Sequence, residues 1–286
     1  GNPADPASWQ EFDYVYHFFW GLEDNVSVFM NMWNAIESNK NVGALWPNDG
    51  DGNAWASDVG MPPALKAAGY NLTDTGRYQN LTDDYSAQIN AFKAANCDIL
   101  VGIPIPPDFT TFWTQAAQQG YKPKLVSIAK ALLFPESVAA LGELGHNLTC
   151  EVWWSPNHPF KSSMTGESCA EVAAGFEAAA SRQWTMPLGF VHALFEVAID
   201  ALKRVEDATD GDALAAAIGA TNLDTVVGKI AWGQENVPPF ARKNVTKTPL
   251  VGGQWRRKED GSFDLVIVEN ANAPEIALTG TLETLR

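Results

Sequence analysis

Basic residues are scarce in this chain: 19 Lys and Arg stand against 34 Asp and Glu, for a formal net charge of −15 and an isoelectric point near 4.6. Nucleic-acid phosphates need clustered cations, and no basic tract occurs, which argues against DNA or RNA as a partner. Long apolar runs are missing as well. No stretch approaches the roughly 20 residues needed to span a bilayer, and no charged-then-apolar signal segment opens the chain, which therefore reads as mature, trimmed or a fragment. Cysteine is nearly absent, three in 286 residues with no CxxC, which argues against a zinc or redox site. Cys97, at the start of an apolar strand, reads as a small buried hydrophobe. Cys150 and Cys169 remain as a pair that would bond in an oxidising compartment, a point that spacing alone leaves open. No GxSxG elbow, P-loop, HExxH or GxGxxG is present, and no order of Ser, His and Asp nominates a triad. His17, His146, His158 and His192 show no metal-ligand spacing, so neither metal nor cofactor nor catalytic turnover is expected.

What is present is the composition of a folded α/β chain. Hydrophobic residues make up 46% and charged residues 19%, enough for two lobes with cores of their own. The stretch from Cys97 to Trp113, CDILVGIPIPPDFTTFW, sets the pattern. Asp98 to Gly102 reads as a short buried strand that Pro106 and Pro107 prevent from continuing, and Asp108 is placed as the N-cap of a helix from Phe109 to Gln119. A strand, a stiff turn and a capped helix make the carboxyl edge of a parallel sheet, where open α/β sheets bind ligands.

Around this stretch, strands and helices alternate. An aromatic strand, Phe12 to Trp20, is followed by a helix at Asp24 to Ser38, the strand Asn41 to Trp46 and the turn PNDGDGNAWAS. In that turn Gly50 and Gly52 allow close backbone approach to a ligand, while Asp49 and Asp51 either accept hydrogen bonds or cap the helix that follows; a calcium loop fits less well, for want of the remaining EF-hand spacing. A helix at Ser57 to Ala68, a strand at Tyr70 to Asp74, a helix at Asp84 to Ala95, the strand Lys124 to Ile128, a helix at Val138 to Leu144 and the strand Thr149 to Trp154 complete a doubly wound parallel pattern. SPNHPF then reads as a crossing between lobes. Beyond it come helices at Glu167 to Arg182, Leu188 to Val205 and Asp212 to Ile218, then strands at Val226 to Trp232, Leu250 to Trp255 and Phe263 to Val268. The first two helices carry apolar stripes, including Val172, Phe176, Phe190, Leu194, Phe195 and Ile199, which require a sheet to cover. Few strands are available to that lobe, so it reads as incomplete.

The order of NVGALWPNDGDGNAWAS, YSAQINAFKAANCDILVGIPIPPDFTTFWTQAAQQGYKPKLV, WSPNHPF and WTMPLGFVHALFEVAIDALKR resembles the type I periplasmic solute-binding proteins, and within them the branched-chain amino-acid group that feeds ABC importers. The resemblance covers about Phe12 to Val268. It implies two lobes, residues 21–154 with 249–275 as the carboxy-terminal one and residues 1–20 with 155–248 as the remainder of an amino-terminal one whose usual first βα units are lacking. It implies a small solute held between lobes that close by hinge motion, an extracytoplasmic location and a membrane permease as partner. A ligand-sensing domain of a receptor or regulator with the same fold is the alternative.

By position, the resemblance places Asp51 where amino-acid binders offer an aromatic residue and Ile105 or Pro106 at another contact, with Gly52, Asn53 and Pro104 beside them. Where those binders carry a glutamate for the ligand ammonium, this chain has Ala129 and Lys130, so free leucine-type amino acids fit poorly and Lys130 is a candidate for a ligand carboxylate. Trp20, Trp153, Trp154 and Trp184 fall at strand ends or lobe crossings and are candidate walls for an apolar or aromatic solute body. The expected solute is a small carboxylate or amide with such a body.

Overall fold

Strands buried on both faces need apolar residues at successive positions, and the short runs ILVG and LVSI supply them. In the computed structural model, which describes residues 12–285, these runs are central strands of a seven-stranded sheet. In chain order the first elements are β1 (His17–Phe19), α1 (Leu22–Asn34), β2 (Asn41–Pro47), α2 (Gly50–Trp55), α3 (Met61–Ala67), β3 (Asn71–Tyr78), α4 (Ser86–Ala94), β4 (Ile99–Gly102) and α5 (Pro106–Gln118). Then follow β5 (Leu125–Ile128), α6 (Pro135–Ala139), β6 (Thr149–Val152), α7 (Cys169–Ala180), α8 (Pro187–Arg204) and α9 (Gly211–Gly219). The last strands are β7 (Asn222–Thr225), β8 (Gly228–Ala231), β9 (Val245–Lys247), β10 (Val251–Arg257) and β11 (Phe263–Glu269), and 3-10 turns occupy Ala131–Leu133 and Gly142–Gly145.

The chain divides into two compact units. Unit 1 contains residues 12–21 and Trp153–Leu250; unit 2 contains Leu22–Val152 and residues 251–285. Unit 2 holds the large sheet, ordered β11-β10-β6-β5-β4-β2-β3, with β3, β2, β4, β5 and β6 parallel and the β10–β11 hairpin antiparallel at one edge. Register pairs Val42 with Ile99 and Ile99 with Leu125, so β2, β4 and β5 end side by side. A buried polar chain ties α1 to this sheet: Trp33 Nε1 donates to Ser127 Oγ at 2.9 Å, Ser127 Oγ lies 2.8 Å from Thr149 Oγ1, and the Thr149 hydroxyl donates to the Val126 carbonyl at 2.8 Å. Trp255 Nε1 donates to the Leu132 carbonyl at 3.0 Å and anchors the 3-10 turn after β5.

In unit 1, β1 pairs in parallel with β9 over three residues, and β7 and β8 form a hairpin. The expected strand from Phe12 therefore shrinks to His17–Phe19, and that at Val226 to Gly228–Ala231. The sequence shows why α7 forms: Ser168 and Glu171 build a capping box, each side chain bonded to the other's backbone N–H. Gly189 lets α8 meet Trp154, because a Cβ there would stand 2.2 Å from the indole. The helix expected over Ser57 to Ala68 is the shorter α3, which starts only after Gly60, where a Cβ would strike the Trp55 carbonyl at 2.3 Å, and the turn before it holds a helix of its own, α2.

The three cysteines are free and buried, so the pairing of Cys150 with Cys169 is not formed. Cys150 is enclosed in β6 of unit 2, where burial holds its thiol well above the usual range. Cys169 begins α7 in unit 1, accepts from Trp154 Nε1 at 3.2 Å and is pushed up to about 11 by burial. Each thiol is used within its own core.

The segment SPNHPF, expected as a crossing between lobes, lies inside unit 1, because the boundary falls between Val152 and Trp153; it is held by His158, whose Nδ1 accepts from the Ser155 N–H at 3.1 Å. Burial lowers this imidazole from its ordinary 6.5 to about 3, against the Ser155 contact. The unfolded chain thus takes up a proton below about pH 6.5 that the folded one refuses until about pH 3, and stability falls as pH drops through that window at about 1.4 kcal/mol per unit. Denaturant unfolding between pH 7 and 4 should show a shallower loss for His158→Gln than for the natural chain; parallel curves would exclude His158 as the cause.

The stripe on α8 is only partly covered. Phe190 and Val197 are buried, yet Leu194 is 57% and Phe195 60% exposed, with Val191 and Leu202 exposed along the same face. Apolar surface of this extent on a helix favours association. We expect concentration-dependent self-association of the isolated chain in light scattering, reduced by Leu194→Glu with Phe195→Glu; a stable monomer at high concentration would contradict this.

Candidate functional site

The parallel register brings the carboxyl ends of β2, β3, β4 and β5 to one edge of unit 2. After β2, Asp49 caps α2: its Oδ1 accepts from the Gly52 N–H at 2.8 Å and its Oδ2 from Asn80 Nδ2 at 3.2 Å. Burial would raise this carboxyl, but the Gly52 and Asn80 bonds together with Lys130 outweigh it and leave it below the usual range. The DGDGN segment is therefore a cap and first helical turn. Gly52 is buried, and its missing side chain admits the Pro47 carbonyl, which a Cβ would meet at 2.0 Å; Gly50 has open space around it and Asn53 is exposed.

After β5 stands Lys130, with φ 63° and ψ −62°, and the Ala131 N–H donates to the Ala129 carbonyl at 2.6 Å. This is a γ-turn in the left-handed half of conformational space, a conformation costing about 1–3 kcal/mol for a residue with a side chain. Lys130 Nζ lies 2.6 Å from Asp51 Oδ2 and 3.7 Å from Asp49 Oδ2. Two carboxylates thus already compensate the lysine that the sequence offered to a solute carboxylate.

After β4, Pro104 is buried, while Ile105 and Pro106 are half-buried. The helix α5 starts earlier than expected, with Ile105 as its extended N-cap and Pro106 at the first turn, because proline's fixed φ suits that position. Asp108 is consequently inside the helix and caps nothing. It is 1% exposed, and its Oδ1 accepts from the Leu81 N–H at 2.9 Å. Burial raises its carboxyl, opposed by the Leu81 bond and by the nearby Tyr78 and Tyr85 hydroxyls. Those two hydroxyls face the Asp108 carboxylate and each other in this enclosed layer, so the phenols join the Leu81 N–H in offsetting its burial. Sequence reasoning missed Tyr78, Asn80 and Tyr85. Extending β3 by its full eight residues would have placed Tyr78 at the edge.

In unit 1, Trp20 and Trp153 are half-buried, 5.9 Å apart, and join Phe19 and Phe190 in one cluster, with Phe19–Trp153 at 4.9 Å and Trp153–Phe190 at 6.0 Å. Both indole N–H groups lack partners. Trp154 and Trp184, offered by the sequence as walls, are instead core: Trp154 is fully buried against Gly189, and Trp184 meets it edge-on at 5.9 Å. Among the described residues, no group of three or more His, Cys, Asp or Glu is placed to hold a metal ion.

Asp108 supplies a test of the edge. Asp108→Asn keeps the acceptor for the Leu81 N–H and should stay within about 1 kcal/mol in denaturant unfolding, whereas Asp108→Ala should cost about 1–3 kcal/mol and speed Leu81 amide exchange. Equal losses would show that the charge, and not the acceptor, is what matters.

The chain was compared with known proteins. No curated protein matches its sequence. Among solved structures, a leucine binding protein, LivK, from Thermotoga maritima superposes with a TM-score of 0.72 at 15% identity, over 94% of this chain and 71% of that protein. An ABC transporter substrate-binding protein from Sphaerobacter thermophilus gives 0.69 at 13% identity over 93% and 68%. A leucine-, isoleucine-, valine-, threonine- and alanine-binding protein from Brucella ovis gives 0.63 at 16% over 85% and 60%. These likenesses establish the expected type I periplasmic-binding fold. The family model described as periplasmic binding protein matches residues 1–246, and the chain belongs to that family.

Proposed function

We propose that the chain is the extracytoplasmic solute-binding component of an ABC importer, which captures a small organic solute and passes it to a membrane permease. The observation that carries this reading is the carboxyl edge of unit 2: a strained lysine and two carboxylates gather where a parallel sheet binds ligands. The printed names of its structural neighbours, leucine-binding and ABC transporter substrate-binding proteins, support it. Unit 2 is taken as the carboxy-terminal lobe and unit 1 is assigned to the amino-terminal one.

In unit 2 the contacts we assign are Asp51, Gly52, Asn53, Pro104, Ile105, Pro106 and Lys130; in unit 1, taken by itself, Trp20 and Trp153 are the candidate aromatic contacts. Half-buried indoles suit a solute with an apolar or aromatic body. Its polar head is a carboxylate or an amide. The carboxylate form must compete with Asp51 for Lys130. No catalytic turnover is assigned, because the family binds its solutes. Among the described residues no helix is long and apolar enough to cross a membrane.

Calorimetry of the chain against amino acids, aliphatic and aromatic acids and their amides should find a binder among the acids or amides, with a hydrolase and dehydrogenase screen blank. Leucine binding indifferent to Lys130→Ala would overturn the solute class, and turnover abolished by Asp51→Ala would overturn the binding role.

A further inference from the structure

The opposite edge of unit 2, where β5 and β6 begin, holds a cavity of about 430 Å³, within the range of small-molecule sites. Trp113 and Ala117 of α5 line it, with Tyr121 and Pro123 from the turn before β5, Leu144 from the 3-10 turn before β6, and Leu285. The polar groups of this lining are satisfied within the protein. Trp113 Nε1 donates to the Leu144 carbonyl at 2.9 Å and the Tyr121 hydroxyl to the Cys97 carbonyl at 3.2 Å, so both rings bring apolar surface. The last turn of α5 is closed as well: the Ala116 carbonyl accepts the Tyr121 N–H at 2.9 Å and the Ala117 carbonyl accepts the Gly120 N–H at 3.1 Å. Lys124 Nζ is held 3.2 Å from Asp98 Oδ2 and donates to the Glu37 carbonyl at 3.0 Å. That leaves Lys122 and Glu143 as the other charged side chains of the lining, both exposed and opposite in sign.

Leu285 is brought to the cavity by a docked extended stretch. Gln254, fully buried, grips Glu283 on both sides of its backbone: Nε2 donates to the Glu283 carbonyl at 2.7 Å and Oε1 accepts the Glu283 N–H at 3.0 Å. Asn147 Nδ2 donates to the Thr284 carbonyl at 3.1 Å, and the Leu285 N–H donates to the Lys124 carbonyl at 2.8 Å.

We propose that this cavity is a second ligand site, separate from the carboxyl edge, for a small uncharged aromatic molecule, whose binding tightens the stretch that carries Leu285. A flat ring gains contact with Trp113, Tyr121, Pro123 and Leu144. A carboxylate or an ammonium drawn inside would lose its hydration against walls whose polar groups are already paired, and the exposed Lys122 and Glu143 favour neither sign. The site stands independently of the importer reading, because the length of β5 separates it from Lys130.

Indole, indole-3-acetate and tryptamine present one ring with no charge, a negative and a positive one. Each is titrated into the natural chain at pH 7 while the Trp113 indole N–H, the Tyr121 ring and the Leu285 amide are followed by NMR. Indole should shift all three resonances saturably, with a dissociation constant of about 1 mM or better and at least about threefold tighter than either charged analogue. It should slow exchange of the Leu285 amide and leave the Lys130 and Asp51 amides unmoved. Ala117→Trp, at an exposed helical position, should fill the cavity and abolish the shifts; Lys122→Glu should leave indole affinity unchanged, and Leu285→Ala should weaken it severalfold. Silence of Trp113 and Tyr121 toward indole overturns the proposal, and so does a charged analogue that binds as well as indole. Undiminished indole shifts in folded Ala117→Trp, or a loss of indole binding in Lys122→Glu, would do the same.

Discussion

Parallel pairing of β2, β4 and β5 is the constraint on which the rest of unit 2 depends. In a parallel ladder all strands leave the sheet at the same edge, so the loops after Pro47, Gly102 and Ile128 meet whether or not their sequences are related. The pairing is stable because the strands are buried on both faces and because Ser127 and Thr149, the polar residues that face each other between β5 and β6, satisfy one another and the Trp33 indole. Replace that chain of bonds by unpaired hydroxyls and α1 would lose its fixed seat on the sheet.

The edge gathers charge in a compensated form. Lys130 is held in a costly backbone conformation, and the Trp255 bond to Leu132 two residues on stabilises the turn that imposes it. The Lys130 pair with Asp51 is half-exposed and so contributes little to stability, on the order of 1 kcal/mol or less. The pair leaves Lys130 and Asp51 compensating each other at this edge. Behind it, Asp108 and the two phenols are enclosed, where an unpaired group costs far more than at the rim.

Unit 1 is built on different terms. Its strands are three or four residues long, and its cohesion comes from α7 and α8 closing over large aromatics, with Gly189 admitting Trp154 and Phe190 facing Phe19 and Trp153. Short strands cannot cover an eighteen-residue helix, which leaves Leu194 and Phe195 in solvent. The carboxylate of Glu196, on the same helix but turned inward, is by contrast spent on the Ser163 and Val226 N–H groups, so the buried side of α8 is tightly held.

The sequence by itself determined the alternation of strand and helix, the buried strands around Asp98 to Gly102 and Lys124 to Ile128, and the resemblance to the type I binding fold, because these depend on apolar runs and turn residues that are local. It also located Asp51 and Lys130, although not that they face each other. Their meeting across 79 residues follows from sheet register, which no local pattern encodes. Asp108 looked like a cap because Asp before a helical run usually is one; Pro106 started the helix earlier and turned the same carboxylate inward. Trp154 and Trp184 became core, and Cys150 and Cys169 stayed apart as thiols, because burial is decided by which elements pack together, and that only the tertiary structure decides.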